Sequence, residues 1–152
     1  MTHTINAIAF VAGGRAEPKD DHWGDVISSI ELAEGYDETS LSGLNDFSHV
    51  EVVYIFDRVS EDKIERGARH PRGRTDWPLV GIFAQRGKNR PNRIGVTIAE
   101  IIELKGRTLK VRGLDAVDGT PVIDIKPLMR GFLPRREVRE PAWSIELMKD
   151  YW

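Results

Sequence analysis

Apolar residues in this chain recur in short runs separated by polar or Gly/Pro stretches, and almost nowhere do they keep a helical period. That spacing predicts a sandwich or barrel rather than alternating βαβ units. The runs Ala7–Val11, Val26–Leu32, His49–Phe56, Val80–Ala84, Ile94–Leu104, Thr108–Leu114 and Val122–Ile125 are rich in Val, Ile and Phe and are read as strands. Lys105-Gly106-Arg107 leaves no room for a helix between two of them. It predicts a hairpin joining Ile94–Leu104 to Thr108–Leu114. Helical signals are confined to two places. Ser60–Arg66 opens with a capping Ser and an acidic first turn at Glu61 and Asp62. Ser144–Tyr151 follows Pro141, has Ser144 as a cap, and carries Ile145, Leu147, Met148 and Tyr151 as an apolar stripe suited to docking on the core. The expected fold class is all-β, a single small β-barrel with short helices that include a C-terminal one.

Composition narrows the class. The 152 residues suit one domain, which at this size buries about 70% of the surface of its unfolded chain. The chain has no cysteine, which removes disulfides, thiolate metal sites and a cysteine nucleophile and fits a cytoplasmic location. No basic stretch followed by an apolar run opens the chain, and no apolar run approaches the roughly 20 residues of a membrane span. The balance of 22 Lys+Arg against 24 Asp+Glu gives a net charge of -2. A polyanion therefore has to bind a local patch rather than a uniformly basic surface.

Such a patch is visible between Arg66 and Arg93. There Arg66, Arg69, Arg72, Arg74, Arg86, Lys88, Arg90 and Arg93 are opposed only by Asp76. Arginine forks suit phosphate oxygens, and His70, Trp77 and Phe83 interleave planar groups on which a splayed-out base can stack. The alternative is that these arginines pair with carboxylates elsewhere, and the sequence leaves both open. Arg90-Pro91-Asn92-Arg93-Ile94-Gly95 combines a fixed backbone angle, a residue tolerant of turns and a glycine that permits close approach of a ligand. A loop of this kind presents carbonyl oxygens, which stabilise a sulfonium cation; it is also an ordinary turn sequence. Leu114 through Pro121 places Asp115 and Asp118 beside an Asp-Gly turn, where either carboxylate can accept ribose hydroxyls or simply form the turn. No phosphate-binding loop, no dinucleotide glycine fingerprint and no metal-ligand spacing of the four histidines is present. Asp20, Asp21 and His22 are read as a solvated polar loop rather than a metal site.

The segments FSHVEVVYIFD, HPRG, GIFAQRGKNRPNRIG and GLDAVDGTPVIDIKP occur in this order. Together they resemble the TsaA-like domain of the TrmO family, from about Ile5 to Pro127, with 128–152 as a C-terminal extension of the same domain. The resemblance implies a single β-barrel that binds S-adenosyl-L-methionine without a Rossmann domain, works as a homodimer, and methylates N6 of threonylcarbamoyladenosine beside the anticodon of tRNA. Other acceptors, or cofactor binding without catalysis, are the competing readings. Carried over position by position, the cofactor contacts fall on Pro18, Lys19, Asp20, Asp57, Arg58, Arg86, Val96, Asp115, Ala116, Val117 and Asp118. Arg72, Arg74, Lys88, Arg90, Asn92 and Arg93 are the candidate tRNA contacts, and His49 and Asp57 the candidate bases. Members of the family commonly have prolines at positions 88 and 93 and a His at position 57, where this chain has Lys88, Arg93 and Asp57. Longer members also carry a further C-terminal domain thought to help bind tRNA.

Overall fold

Period-two burial along the strands shows how the sequence closes into a barrel. In the computed structural model, which describes residues 1–152, Val50, Val52 and Tyr54 of β3 (His49–Ile55) point inward while their neighbours are half-exposed. The remaining strands are β1 (Ala9–Ala12), β2 (Ile27–Leu32), β4 (Ala68–Arg69), β5 (Val80–Gly81), β6 (Ile94–Lys105), β7 (Thr108–Arg112) and β8 (Pro121–Pro127), followed by helix α1 (Ala142–Leu147). Six of them close in the order β1-β2-β7-β6-β3-β8, with every pairing antiparallel. β4 and β5 form a separate two-stranded ribbon. A barrel of six strands is narrow enough for side chains to fill. Here Ala9, Val11, Ile30, Val50, Val52, Tyr54, Ala99, Leu109, Val111, Leu114, Ala116 and Val122 form that filling.

The interior fits because large residues on one strand face small ones on the next. In the register of β3 against β6, Tyr54 opposes Gly95, Val52 opposes Thr97 and Val50 opposes Ala99. A Cβ on Gly95 would lie 2.5 Å from the Tyr54 ring and 2.9 Å from that of Phe56. The glycine of the Arg90–Gly95 loop therefore makes room for a neighbouring tyrosine, not for a ligand. Phe56 meets Tyr54 edge to face at 5.4 Å, a favoured aromatic geometry.

The expected strands are present with ends shifted by at most two residues, except near position 80. Val80–Ala84 is a strand only at Val80–Gly81, and Ile82–Ala84 turns as a 3-10 helix. Lys105 pairs with Thr108, so the predicted hairpin turns on Gly106-Arg107, with φ +56° at Gly106. Ser60–Arg66 is not an α-helix; it holds one 3-10 turn at Glu61–Lys63. With three residues in that turn, a cap and two acids cannot repay the cost of helix nucleation. At the C-terminus the helix begins two residues earlier than expected, with Pro141 at the N-cap and Ser144 inside it. The Ser144 hydroxyl instead bonds Glu140 and the Pro141 carbonyl. No helix is long and apolar enough to cross a membrane.

Two substitutions test this packing. Leu109→Ala, at a fully buried site, is expected to cost about 3 kcal/mol in urea unfolding. Gly95→Ala is expected to cost about 1–3 kcal/mol through overpacking against Tyr54. An unchanged urea midpoint for Gly95→Ala would show that the ring has free space to move into.

Candidate functional site

Behind β7 the chain turns at Gly113, where φ is +79°, buries Leu114 and sets Asp115 over one end of the barrel. The Tyr54 hydroxyl, lifted there by the packing over Gly95, donates to Asp115 Oδ1 at 2.9 Å. Thr97, inward-facing on β6, donates to the same oxygen. Tyr151, beyond α1, donates to Oδ2. One carboxylate thus receives three hydroxyls, from the barrel floor and from the C-terminal segment. Burial first, and then the Asp115 charge, push both tyrosine hydroxyls far above the ordinary tyrosine range, so they stay protonated donors.

Two arginines brace backbone carbonyls of the neighbouring segments. Arg58, just past β3, donates to the Ala16 carbonyl at 2.7 Å and to the Asp118 carbonyl at 2.9 Å. It joins the chain just before the Pro18–Asp20 loop to the turn after Asp115. Asp118 Oδ1 accepts the Gly13 amide at 2.8 Å, so this residue does form the turn, with Oδ2 left without a protein donor. Arg86 donates to the Val96 carbonyl at 2.7 Å, and its charge is felt at Tyr151. Of the residues carried over as cofactor contacts, Arg58, Arg86, Val96 and Asp115 through Asp118 are linked at one end of the barrel. Pro18, Lys19 and Asp20 are exposed beside them. Trp23 holds that loop by its indole N–H on the Lys19 carbonyl at 3.0 Å, with Arg15 4.4 Å above its ring.

His49 is elsewhere. It begins β3, whereas Asp57 follows the end of the same strand, which puts the two about 26 Å apart along extended chain. The His49 ring bonds Ser48 at 2.7 Å, and it is not part of the site. Asp57 is exposed beside Arg58. Strand direction, invisible in a list of motifs, separates the two candidate bases.

The basic run divides by partner. Arg72 grips Asp21 with two hydrogen bonds, at 3.1 and 2.7 Å, which hold the Asp21 carboxyl below its usual range. The Asp21 of the polar loop is therefore an arginine partner. Arg74 pairs with Asp76 and reaches Glu146 at 3.4 Å, and Arg66 pairs with Glu61 at 2.9 Å. For Arg72 and Arg74, two of the expected tRNA contacts, pairing is the reading the structure supports. Arg90 and Arg93 each brace a backbone carbonyl at 2.7 Å, on Gln85 and Val59 respectively. Lys88 is exposed and has no carboxylate partner. Asn92 is exposed on the same loop, and both Asn92 and Arg93 are left-handed, with φ of 62° and 54°. Trp77 is buried between Arg74, 3.9 Å over its ring, and Trp143, and His70 bonds the Trp77 carbonyl. Of the three planar groups, Phe83 alone is open, 75% exposed. Nothing in the sequence marks Tyr54, Thr97 or Tyr151 as a site residue. Their one shared signal, a hydroxyl within an apolar stripe, looks like ordinary core. No three His, Asp or Glu side chains gather as a metal site.

The fold and these contacts define a small closed-barrel domain with a carboxylate and arginine-braced cluster, the candidate site, at one end. The family model of the tRNA-methyltransferase O N-terminal domain matches residues 15–132, and the chain belongs to that family. An S-adenosyl-L-methionine-binding protein of Archaeoglobus fulgidus is 38% identical over 109 residues, 72% of this chain and 74% of that one. The human tRNA (adenine(37)-N6)-methyltransferase is 33% identical over 113 residues, 74% of this chain, and this match spans only 25% of the human protein. A crystal structure of TrmO superposes with a TM-score of 0.74 at 26% identity, covering 92% of this chain and 64% of that one.

The hydroxyl network predicts a pH response. Raised tyrosine pKa values stabilise the fold below the ordinary tyrosine range, near pH 10, and that contribution is lost as pH rises toward the folded-state values. In an alkaline spectrophotometric titration, Tyr54 and Tyr151 should ionise together with loss of tertiary structure. Ionisation of all three tyrosines while near-UV circular dichroism stays native would contradict the network.

Proposed function

We propose that this chain is an S-adenosyl-L-methionine-dependent methyltransferase domain acting on N6 of the modified adenosine at position 37 of tRNA. The observation that carries the reading is the joining, at one barrel end, of the Pro18–Asp20 loop, Arg58, Arg86 with Val96, and Asp115 through Asp118. Family membership gives those segments a common purpose. The donor set fits a nucleoside that bears a sulfonium and an amino acid. Asp115 and Asp118 offer carboxylate acceptors, and Arg58 and Arg86 offer positive charge near a ligand carboxylate. When bound, the cofactor supplies an electrophilic methyl group.

What this chain's residues contribute is placement. Arg58 and Arg86 fix the walls by bracing carbonyls, so the site needs little reorganisation when the acceptor arrives. Asp57, exposed at the rim, is the side chain available to take a proton from the acceptor nitrogen. Phe83 offers an open ring for stacking a splayed-out base. Lys88, Arg90, Asn92 and Arg93 line the loop that would meet tRNA phosphates. Arg72 and Arg74 serve the architecture through their carboxylate partners. The exposed stretch Met129–Pro141, with Phe132 at 84% and Val138 at 67% exposure, supports a homodimer, and a tRNA substrate supports a cytoplasmic location.

A second reading is methyl transfer to another acceptor, or cofactor binding alone. It is favoured by the archaeal relative, which this chain covers over most of its length and whose name specifies binding only.

Isothermal titration with S-adenosyl-L-methionine should give saturable heat, and Arg86→Ala should weaken binding about tenfold or more through loss of a charged hydrogen-bond donor. Wild-type affinity in that variant would remove Arg86 from the site. Tritium transfer to tRNA from a strain lacking the modification separates the two readings, since the second expects none. Lys88→Ala should flatten the salt dependence of tRNA binding by about 0.7–0.9 in log–log slope, with cofactor affinity unchanged. An unaltered slope would make Lys88 a solvated surface charge.

A further inference from the structure

One side chain of the site comes from neither the barrel nor the segments around it. Tyr151 is delivered by α1 and the residues that follow. The His22 amide donates to the Asp150 carbonyl at 2.9 Å and the Trp23 amide to the Tyr151 carbonyl at 2.8 Å. A Cβ on Gly24 would lie 2.7 Å from the Trp152 carbonyl carbon, so the backbones touch there. Further back, Glu146 accepts the Trp77 indole N–H at 2.9 Å, and Trp143 packs 6.5 Å from the Trp77 ring. The segment is thus anchored at several points without its last tyrosine hydroxyl. That hydroxyl nonetheless turns onto Asp115 Oδ2.

A carboxylate offers about four acceptor positions. Tyr54 and Thr97 take two on Oδ1, and Tyr151 takes one on Oδ2. What remains open is beside Tyr151, so the direction in which Asp115 can accept a further donor depends on this hydroxyl. Tyr54 and Thr97 restrain one oxygen, and Tyr151 fixes rotation of the group by holding the other. The bond to Asp115 places the Tyr151 hydroxyl at the candidate site, where the charges of Arg86 and Arg72 are felt.

We propose that Tyr151 is a positioning residue of the methyl-donor site, acting through Asp115 to aim the carboxylate's remaining acceptor position at a hydroxyl or ammonium donor of the nucleoside ligand. The proposal rests on the reading of this barrel end as the S-adenosyl-L-methionine site. It makes the C-terminal segment part of ligand recognition in addition to a brace for the fold.

The test is a double-mutant cycle read by isothermal titration of S-adenosyl-L-methionine into the full chain, with thermal unfolding of the ligand-free proteins alongside. Tyr151→Phe keeps the ring and its packing, and should raise Kd about tenfold, as loss of a hydrogen bond to a charged group does. Asp115→Asn should also weaken binding, and the double variant should bind no worse than Asp115→Asn alone, because one residue acts through the other. Glu146→Gln, which loosens another anchor of the segment, should lower the unfolding temperature and leave Kd within about twofold. The Tyr151→Phe and Glu146→Gln arms decide the matter even if Asp115→Asn does not fold. The proposal is overturned if Tyr151→Phe binds like the parent, or binds more tightly because the hydroxyl occupies the ligand's place. Losses that multiply in the double variant, or an equal loss in Glu146→Gln, overturn it too, since the segment's docking would then be what matters. A parent protein that gives no heat overturns the methyl-donor reading itself, and this proposal with it.

Discussion

The hydroxyls gathered on Asp115 impose the constraint on which the site depends, because a carboxylate at the end of an apolar barrel has to be met by donors or moved into water. Tyr54 is 1% exposed and can present its hydroxyl there only because Gly95 leaves room for its ring. Thr97 faces inward between Gly95 and Ala99 on β6 and supplies a second donor. The third comes from Tyr151, more than thirty positions further along the chain than the aspartate it meets. Core packing, strand register and the docking of the C-terminal segment are therefore not separable from the geometry of the site.

Arginine performs two distinct tasks around that point. Arg58, Arg86, Arg90 and Arg93 donate to backbone carbonyls and hold loops that have no regular hydrogen-bonding ladder of their own. Arg66, Arg72 and Arg74 pair with carboxylates. A planar fork with five donors can brace a carbonyl and still turn unused N–H groups toward an anion. A chain with a net charge of -2 can in this way keep a local positive site without a basic surface.

Backbone strain falls in the same neighbourhood. The non-glycine residues with positive φ are His22, Arg72, Asn92 and Arg93. Arg72 is itself one half of the Asp21–Arg72 pair and His22 follows the other, while Asn92 and Arg93 lead into β6. Each such residue costs roughly 1 kcal/mol or more and persists only where its surroundings fix it. Here the fixing contacts are visible. The Phe56 amide bonds the Arg93 carbonyl at 2.8 Å while the Arg93 guanidinium holds Val59. A proline at position 93 could not adopt the φ of 54° that Arg93 has here.

Alternation of apolar and polar positions determined the all-β class, most of the strands and the Gly106-Arg107 turn, since period-two patterning is a local property of the chain. Motif order marked Arg58, Arg86 and Asp115 through Asp118 as candidates, and the fold brings them to one end of the barrel. Sequence alone did not show which end of β3 faces the site, and so it grouped His49 with Asp57. Nor did it show which arginines have carboxylate partners, because Asp21 and Glu146 reach Arg72 and Arg74 across 51 and 72 positions. Tyr54, Thr97 and Tyr151 carry the pattern of ordinary core residues, and only closure of the barrel and docking of the C-terminal segment turn their hydroxyls onto one carboxylate. Local patterning is written in spacing, whereas the meeting of distant side chains depends on register and on the space left by glycine, which exist only once the chain has folded.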